Sequence, residues 1–204
     1  MKQVSALEMT RTIETSRPLL LCIPGTSCSP LVFERLDETT FPEVQLVPLS
    51  WMTSSGPWDI PTLGKRVALL IQELDAGPVL LAGHSTGGAI ALAAASTAPE
   101  HISGLLLVDT GAHMDGHGDI SRIISVIEQG PGPAFFHALM RRRLYRQPDA
   151  SLLEQLIAYA STVPREAALQ ALTSQASFDL TSELLHLTMP TVVVHGSRPN
   201  AGLG

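Results

Sequence analysis

Cysteine is almost absent. Cys22 and Cys28 are too few for a disulfide framework, and their spacing matches no common zinc pattern. Cys22 lies in an apolar run and reads as strand packing. Cys28 lies in a loop, where a small buried apolar residue is the favoured reading and a reactive thiol the alternative. Charge is scarce as well, at 16% of residues, and it is not basic: 13 Lys and Arg against 19 Asp and Glu give a net charge of −6. A nucleic-acid partner is therefore not expected, because phosphate neutralisation needs a basic face. One local basic cluster exists, Arg141–Arg143 with Arg146, but on a helix it would spread around the axis as a solvated surface. No apolar run reaches the roughly 20 residues that span a bilayer, and the N-terminal MKQVSALEMTRTIETSRP has no hydrophobic signal core. The expectation is a cytoplasmic protein with no membrane partner.

What the chain has is apolar material, 45% of 204 residues, enough for one domain with a proper core. The runs Pro18–Ile23, Val44–Leu49, Pro78–Ala82, Gly104–Asp109 and Pro190–His195 lack alternation, as buried parallel strands do. Thr10–Glu14 alternates weakly and reads at most as an edge hairpin. Leu31–Leu36 reads as a helical turn and Trp51–Trp58 as a loop. A helix is expected from Asp59, its cap, to Leu74, with Leu63, Val67, Leu70 and Ile71 on one face. A small-residue helix follows at Gly87–Ser96. From Asp119 to Gln175 the pattern is helical only, with segments at Asp119–Gln129, Ala134–Tyr145, Ala150–Ala160 and Arg165–Ala176. The expected fold class is α/β, a mostly parallel sheet flanked by helices with a helical cap insertion. Residues 1–118 would form the first part of the core, 119–187 the cap, and 188–204 a returning core strand, one domain overall.

One stretch carries chemistry. In PVLLAGHSTGG an apolar strand runs into Gly83-His84-Ser85-Thr86-Gly87 and a helix begins at once. A G-x-S-x-G turn between strand and helix lifts a serine off the sheet as an exposed nucleophile. A hydroxyl attacks only if a base removes its proton and donors hold the resulting oxyanion. The helix start offers the Thr86 N–H as the first donor. The loop after an adjacent strand should supply the second. Pro24-Gly25-Thr26 ends the first strong strand, so the Thr26 N–H is the candidate. Taken alone, Pro24-Gly25 would be merely a turn.

These stretches, LLLCIPGTSCSP, VLLAGHSTGGAIALAAA, GLLLVDTGA and MPTVVVHGS, resemble the α/β-hydrolase fold superfamily, closest to its capped single-domain esterase, lactonase and C–C hydrolase members. The resemblance runs from about Pro18 to His195 and implies that Ser85 is the nucleophile. It implies that Pro24-Gly25 stands where the family's oxyanion loop usually has His-Gly. It also implies an acid in a pattern like H-G-x-x-D, where this chain reads His195-Gly196-Ser197-Arg198-Pro199, and a later helix, strand and histidine that the sequence to Gly204 does not contain. Among other residues, Asp109 is a candidate acid, since some members place one near that point; an Asp that caps the following loop is the equal alternative. His113 and His117 could lean over the site. With Asp115 and Asp119 they superficially imitate a metal cluster, but exposed loop histidines are the favoured reading. His84 is expected to point away from the Ser85 hydroxyl, and His195 to pack in its strand. His101, His137 and His186 read as ordinary surface or cap residues. Phe135, Phe136, Leu144 and Tyr145 are candidates for a pocket, or more simply cap core.

The leading reading is a serine hydrolase acting on a small ester, lactone or related carbonyl substrate, without cofactor or metal. The alternatives are a truncated, catalytically inactive member ending in RPNAGLG, and a non-catalytic binding protein of the same fold.

Overall fold

The computed structural model describes residues 7–36, 39, 41–115, 120–143 and 148–196. Its centre is a six-stranded sheet of order β1-β3-β2-β4-β5-β6. The strands are β1 (Glu8–Met9), β2 (Leu19–Ile23), β3 (Gln45–Ser50), β4 (Val79–His84), β5 (Gly104–Val108) and β6 (Thr191–Val194). All neighbours pair in parallel except β1, which lies antiparallel against Leu49 and Ser50 of β3. The N-terminal pairing thus uses Glu8 and Met9, just before the expected Thr10–Glu14.

The central strands are buried because helices cover the sheet. In β2, Leu19, Leu21 and Cys22 are fully inaccessible, as a run with no polar residue on either face requires. Helix α1 (Ile60–Leu74) begins where the Asp59 carboxylate accepts the Thr62 N–H at 2.9 Å, with Pro61 in its first turn, and ends at Asp75 in the left-handed region, φ 43°. Helix α2 (Thr86–Thr97) is buried from Thr86 to Ala95, and its glycines and alanines let α1 and the sheet approach closely. Among the described residues four further helices lie between β5 and β6: α3 (Ile120–Glu128), α4 (Pro133–Arg143), α5 (Ala150–Thr162) and α6 (Arg165–Ala176). They agree closely with the expected segments, although Asp119, the expected cap of α3, lies outside the described residues.

Helix α6 packs on the main core. Its residues Ala167, Ala168, Ala171, Leu172 and Gln175 form one buried face, at the spacing of a helical stripe. Two of its side chains hold the start of α1: Gln170 Oε1 accepts the Trp58 N–H at 3.1 Å and Ser174 Oγ accepts the Ile60 N–H at 3.0 Å.

One expectation fails. The unalternating run Pro190–His195 predicts a buried strand, yet all four residues of β6 are exposed, Val193 at 53%. β6 lies at the end of the strand order and pairs only with β5 among the described residues. An apolar run records what a strand prefers, not what lies beside it.

Candidate active site

The C-terminal ends of the parallel strands collect the chemistry. Ser85 follows the last residue of β4 and precedes the first of α2, and its backbone has φ 54° and ψ −123°. A side chain in this region costs about 1–3 kcal/mol, so the surroundings must enforce it. They do so by contact. A Cβ on Gly87 would overlap the Ile23 carbonyl oxygen, and one on Gly83 would lie 2.5 Å from the Gly87 oxygen. Only glycine at these positions lets strand and helix meet at so sharp an angle. Ser85 is then tied down by its own amide, which donates to the Val108 oxygen at 2.9 Å.

The loop after β2 faces this turn. A Cβ on Gly25 would stand 3.0 Å from Ser85 Cβ and 3.3 Å from His84 Nδ1, so Gly25 admits the nucleophile's backbone at close range. The turn closes through the Cys28 N–H to the Gly25 oxygen at 3.0 Å. Two residues just after β3 brace it from below. The Trp51 indole N–H donates to the Pro24 oxygen at 2.9 Å, and the Ser27 N–H donates to Met52 Sδ at 3.0 Å. Both side chains are fully buried, and neither was singled out from the sequence.

Thr26 and Thr86 are brought together. Their hydroxyls are 2.8 Å apart, and that of Thr86 donates onward to Gln175 Oε1 at 2.7 Å. The Thr86 proton being committed to Gln175, the Thr26 hydroxyl donates to Thr86. All three residues are buried. As first residue of α2, Thr86 carries an amide with no partner inside the helix. His84 ends β4, and its Nδ1 is buried without a hydrogen-bond partner among the described residues.

Asp109 lies one strand over. His84 pairs with Val108 and Val108 with Val194, so Ser85, Asp109 and His195 each follow the last paired residue of three adjacent strands. Asp109 has φ 46°; its Oδ1 accepts the Gly196 N–H at 2.9 Å and lies 3.8 Å from His195 Nδ1. The carboxylate of Asp109 thus ties the end of β5 to the segment after β6, and no bond from it to the loop that follows it is seen among the described residues. Contrary to the expectation that it packs in its strand, His195 lies just past the end of β6 with its side chain 56% exposed. The apolar run before it disguised it as a continuation of the strand.

The remaining candidates fall elsewhere. His113 forms an isolated bridge to Asp179 and accepts the Asp115 N–H through Nδ1 at 3.1 Å; His117 and Asp119 lie outside the described residues. Among the described residues no cluster of three or more His, Cys, Asp or Glu could hold a metal ion. Cys28 is buried, and burial pushes the Cys22 thiol up to about 12. Phe135 packs against the main core, while Phe136 joins a separate cluster with Met140, Leu153 and Leu156. Leu144, Tyr145 and Arg146 lie outside the described residues. A cleft of about 150 Å³ opens between the loop after β2 and the helices, lined by Ser27, Ile127, Phe136, Ala160, Val163 and Arg165. Tyr159 reaches from α5 to Ser50 at the end of β3, 3.1 Å away.

A profile of the alpha/beta hydrolase family matches residues 20–202, nearly the whole sheet and every helix. The chain belongs to the alpha/beta hydrolase family. Within 74 residues it is 34% identical to the lipase LipV of Mycobacterium tuberculosis, a match spanning 36% of this hydrolase-family chain and 27% of the lipase. Solved structures share its architecture at lower identity. An esterase from Exiguobacterium antarcticum superposes with a TM-score of 0.79 at 18% identity, over 97% of this chain and 81% of that one. A thermophilic esterase from Thermogutta terrifontis gives 0.75 at 24%, over 96% and 75%. The enol-lactonase of Burkholderia xenovorans gives 0.75 at 14%, over 94% and 77%. At these identities the likeness is one of fold. No described helix of this family member is long and apolar enough to cross a membrane.

Proposed function

We propose that this alpha/beta hydrolase is a serine-dependent hydrolase of small esters, lactones or related carbonyl compounds. The observation that carries the reading is the backbone of Ser85: strained, non-helical, and locked between a strand and the start of α2 by contacts that only glycine allows. Strain of this kind is maintained where it aims a reacting group.

Ser85 Oγ would attack the substrate carbonyl. The amides of Thr26 and Thr86 would receive the negative oxygen, donors of the type whose individual loss costs about 10²–10³ in rate. The proton of Ser85 needs an acceptor, and Asp109 with His195 is the acid–imidazole pair that the strand register brings to the same edge. The carboxylate would orient the ring and stabilise it once charged, and the ring would return the proton to the leaving group. Their 3.8 Å separation would close to a hydrogen bond with substrate bound, as catalytic contacts often do.

Hydrolysis of short-chain p-nitrophenyl esters tests the reading. Wild type should turn them over, Ser85→Ala should not, and His195→Ala should fall by at least about tenfold through loss of base catalysis. A second reading, a ligand-binding protein of the same fold, is favoured by one observation: among the described residues no imidazole is hydrogen-bonded to Ser85. Saturable ester binding without turnover by wild type would select it.

A further inference from the structure

A buried polar side chain links the candidate site to helix α6. On the inner face of α6 the stripe Ala167, Ala168, Ala171, Leu172 calls for an apolar residue at position 175, and the residue there is Gln175, only 7% exposed. Burying an amide costs free energy unless its groups find partners. Its Oε1 takes the Thr86 hydroxyl at 2.7 Å, and the Thr86 oxygen takes the Thr26 hydroxyl at 2.8 Å. These two threonines bear the amides assigned above to the oxyanion.

We propose that Gln175 is a positioning residue that fixes the spacing of the two oxyanion donors from the helix α6. The inference rests on the serine-hydrolase reading. Three features support it. The chain of donors has one direction, Thr26 to Thr86 to Gln175, because the amide oxygen can only accept. It joins three separate elements: the loop after β2, the first turn of α2, and the last turn of α6. And α6 is itself anchored, through Gln170 to the Trp58 N–H and Ser174 to the Ile60 N–H, so Gln175 acts from a fixed support. Without the acceptor, the Thr86 hydroxyl can turn and the Thr26 hydroxyl loses its reference, loosening two donors that must converge on one oxygen. A small misplacement of such groups lowers the rate without weakening substrate binding in proportion.

The test uses the full chain and p-nitrophenyl butyrate, with an alkyl fluorophosphonate as probe of Ser85. Gln175→Met keeps length and removes the acceptor; Thr86→Val removes the hydroxyl; Thr86→Ser restores it. Thermal unfolding confirms that each variant is folded. Expected is a fall in kcat of roughly tenfold for Gln175→Met and Thr86→Val, with KM within about twofold, and a matching slowing of probe labelling. Thr86→Ser should recover much of the rate lost in Thr86→Val, and the double variant should be no worse than either single. Folded Gln175→Met with unchanged kcat, a loss confined to KM, or additive losses in the double variant would overturn the inference alone. A folded wild type that neither turns over ester nor takes the probe would overturn the hydrolase reading and this inference with it.

Discussion

The hydroxyls of Thr26 and Thr86, sixty residues apart in sequence, lie 2.8 Å from each other in the protein interior. The contact joins the loop that ends the first central strand to the helix that begins behind Ser85. It makes the candidate site a property of the folded sheet, not of the serine motif. The variants below separate the contributions of backbone strain, close contact and proton transfer.

Replacing Ser85 by glycine should stabilise the protein while abolishing ester hydrolysis. Glycine accepts φ 54° and ψ −123° freely, removing about 1–3 kcal/mol of strain against the roughly 0.5–1 kcal/mol of extra chain entropy it brings to the unfolded state. The net gain, about 1 kcal/mol, would be read by urea denaturation. Lower stability than wild type would show that the backbone at Ser85 is not strained.

Gly87 and Gly25 should respond differently to alanine. The Gly87→Ala methyl would meet backbone at the end of the central strand β2, the Ile23 carbonyl and the Pro24 oxygen at 2.7 Å, and neither can move without disturbing that strand. A loss at or above about 3 kcal/mol, the upper end of overpacking costs, is expected. The Gly25→Ala methyl would press on Ser85 Cβ at 3.0 Å and on the His84 carbonyl oxygen at 3.2 Å, looser contacts than those at Gly87. Stability should fall by less than in Gly87→Ala, by about 1–2 kcal/mol, and kcat should drop because the nucleophile takes the displacement. A stable, fully active Gly25→Ala protein would remove the loop after β2 from the site.

Asp109→Asn and His195→Ala probe the proton acceptor. If Asp109 orients the imidazole, Asp109→Asn and His195→Ala should lower kcat/KM by similar factors and the double variant should add little. If Asp109 only caps the strand through the Gly196 N–H, Asp109→Asn should leave turnover unchanged and show a small loss of stability. The ester assay and denaturation together decide between the two.

Stability should decline at alkaline pH. Burial raises the Cys22 thiol from its ordinary 9.0 to about 12, with a small opposing effect of Arg11, and burial also raises the Tyr159 phenol above 10.0 despite hydrogen bonds from Ser50 and Thr53. Below pH 9 both folded and unfolded chains keep the thiol proton, so the native state has its full stability. As pH rises from 9 towards 12 the unfolded chain ionises first, which draws the equilibrium to unfolding. The urea midpoint should therefore fall between about pH 8 and about pH 10.5, and the fall should shrink in Cys22→Ala. An unchanged pH slope in that variant would place the alkaline sensitivity elsewhere.

Much of the architecture could be read from local pattern, because local pattern is what covers these elements. Unbroken runs such as Leu19–Ile23 announce burial on both faces, and Asp59 with Pro61 marks a helix start whose capping bond is made within three residues. Ser85 and the Gly83–Gly87 turn were legible for the same reason. What stayed hidden depends on contacts between distant segments. Val192–Val194 have the composition of a buried strand, but their exposure is set by what lies beside them. Gln175 is a polar residue in a helical segment, and only its place in the 167/168/171/172 stripe marks it as inward-facing. Asp109 and His195 are 86 positions apart, and only the register of β5 against β6 makes them neighbours. Trp51 and Met52, in a stretch read as loop, turn out to be wholly buried braces of the turn at Pro24–Ser27.

The most direct measurement is covalent labelling of the wild-type protein with an alkyl fluorophosphonate, followed by peptide mass spectrometry. One adduct is expected, on the peptide containing Ser85, lost in Ser85→Ala and slowed by prior incubation with a short-chain ester. Folded wild-type protein that takes no label, or takes it at another residue with Ser85 untouched, would contradict the claim that Ser85 is an activated nucleophile.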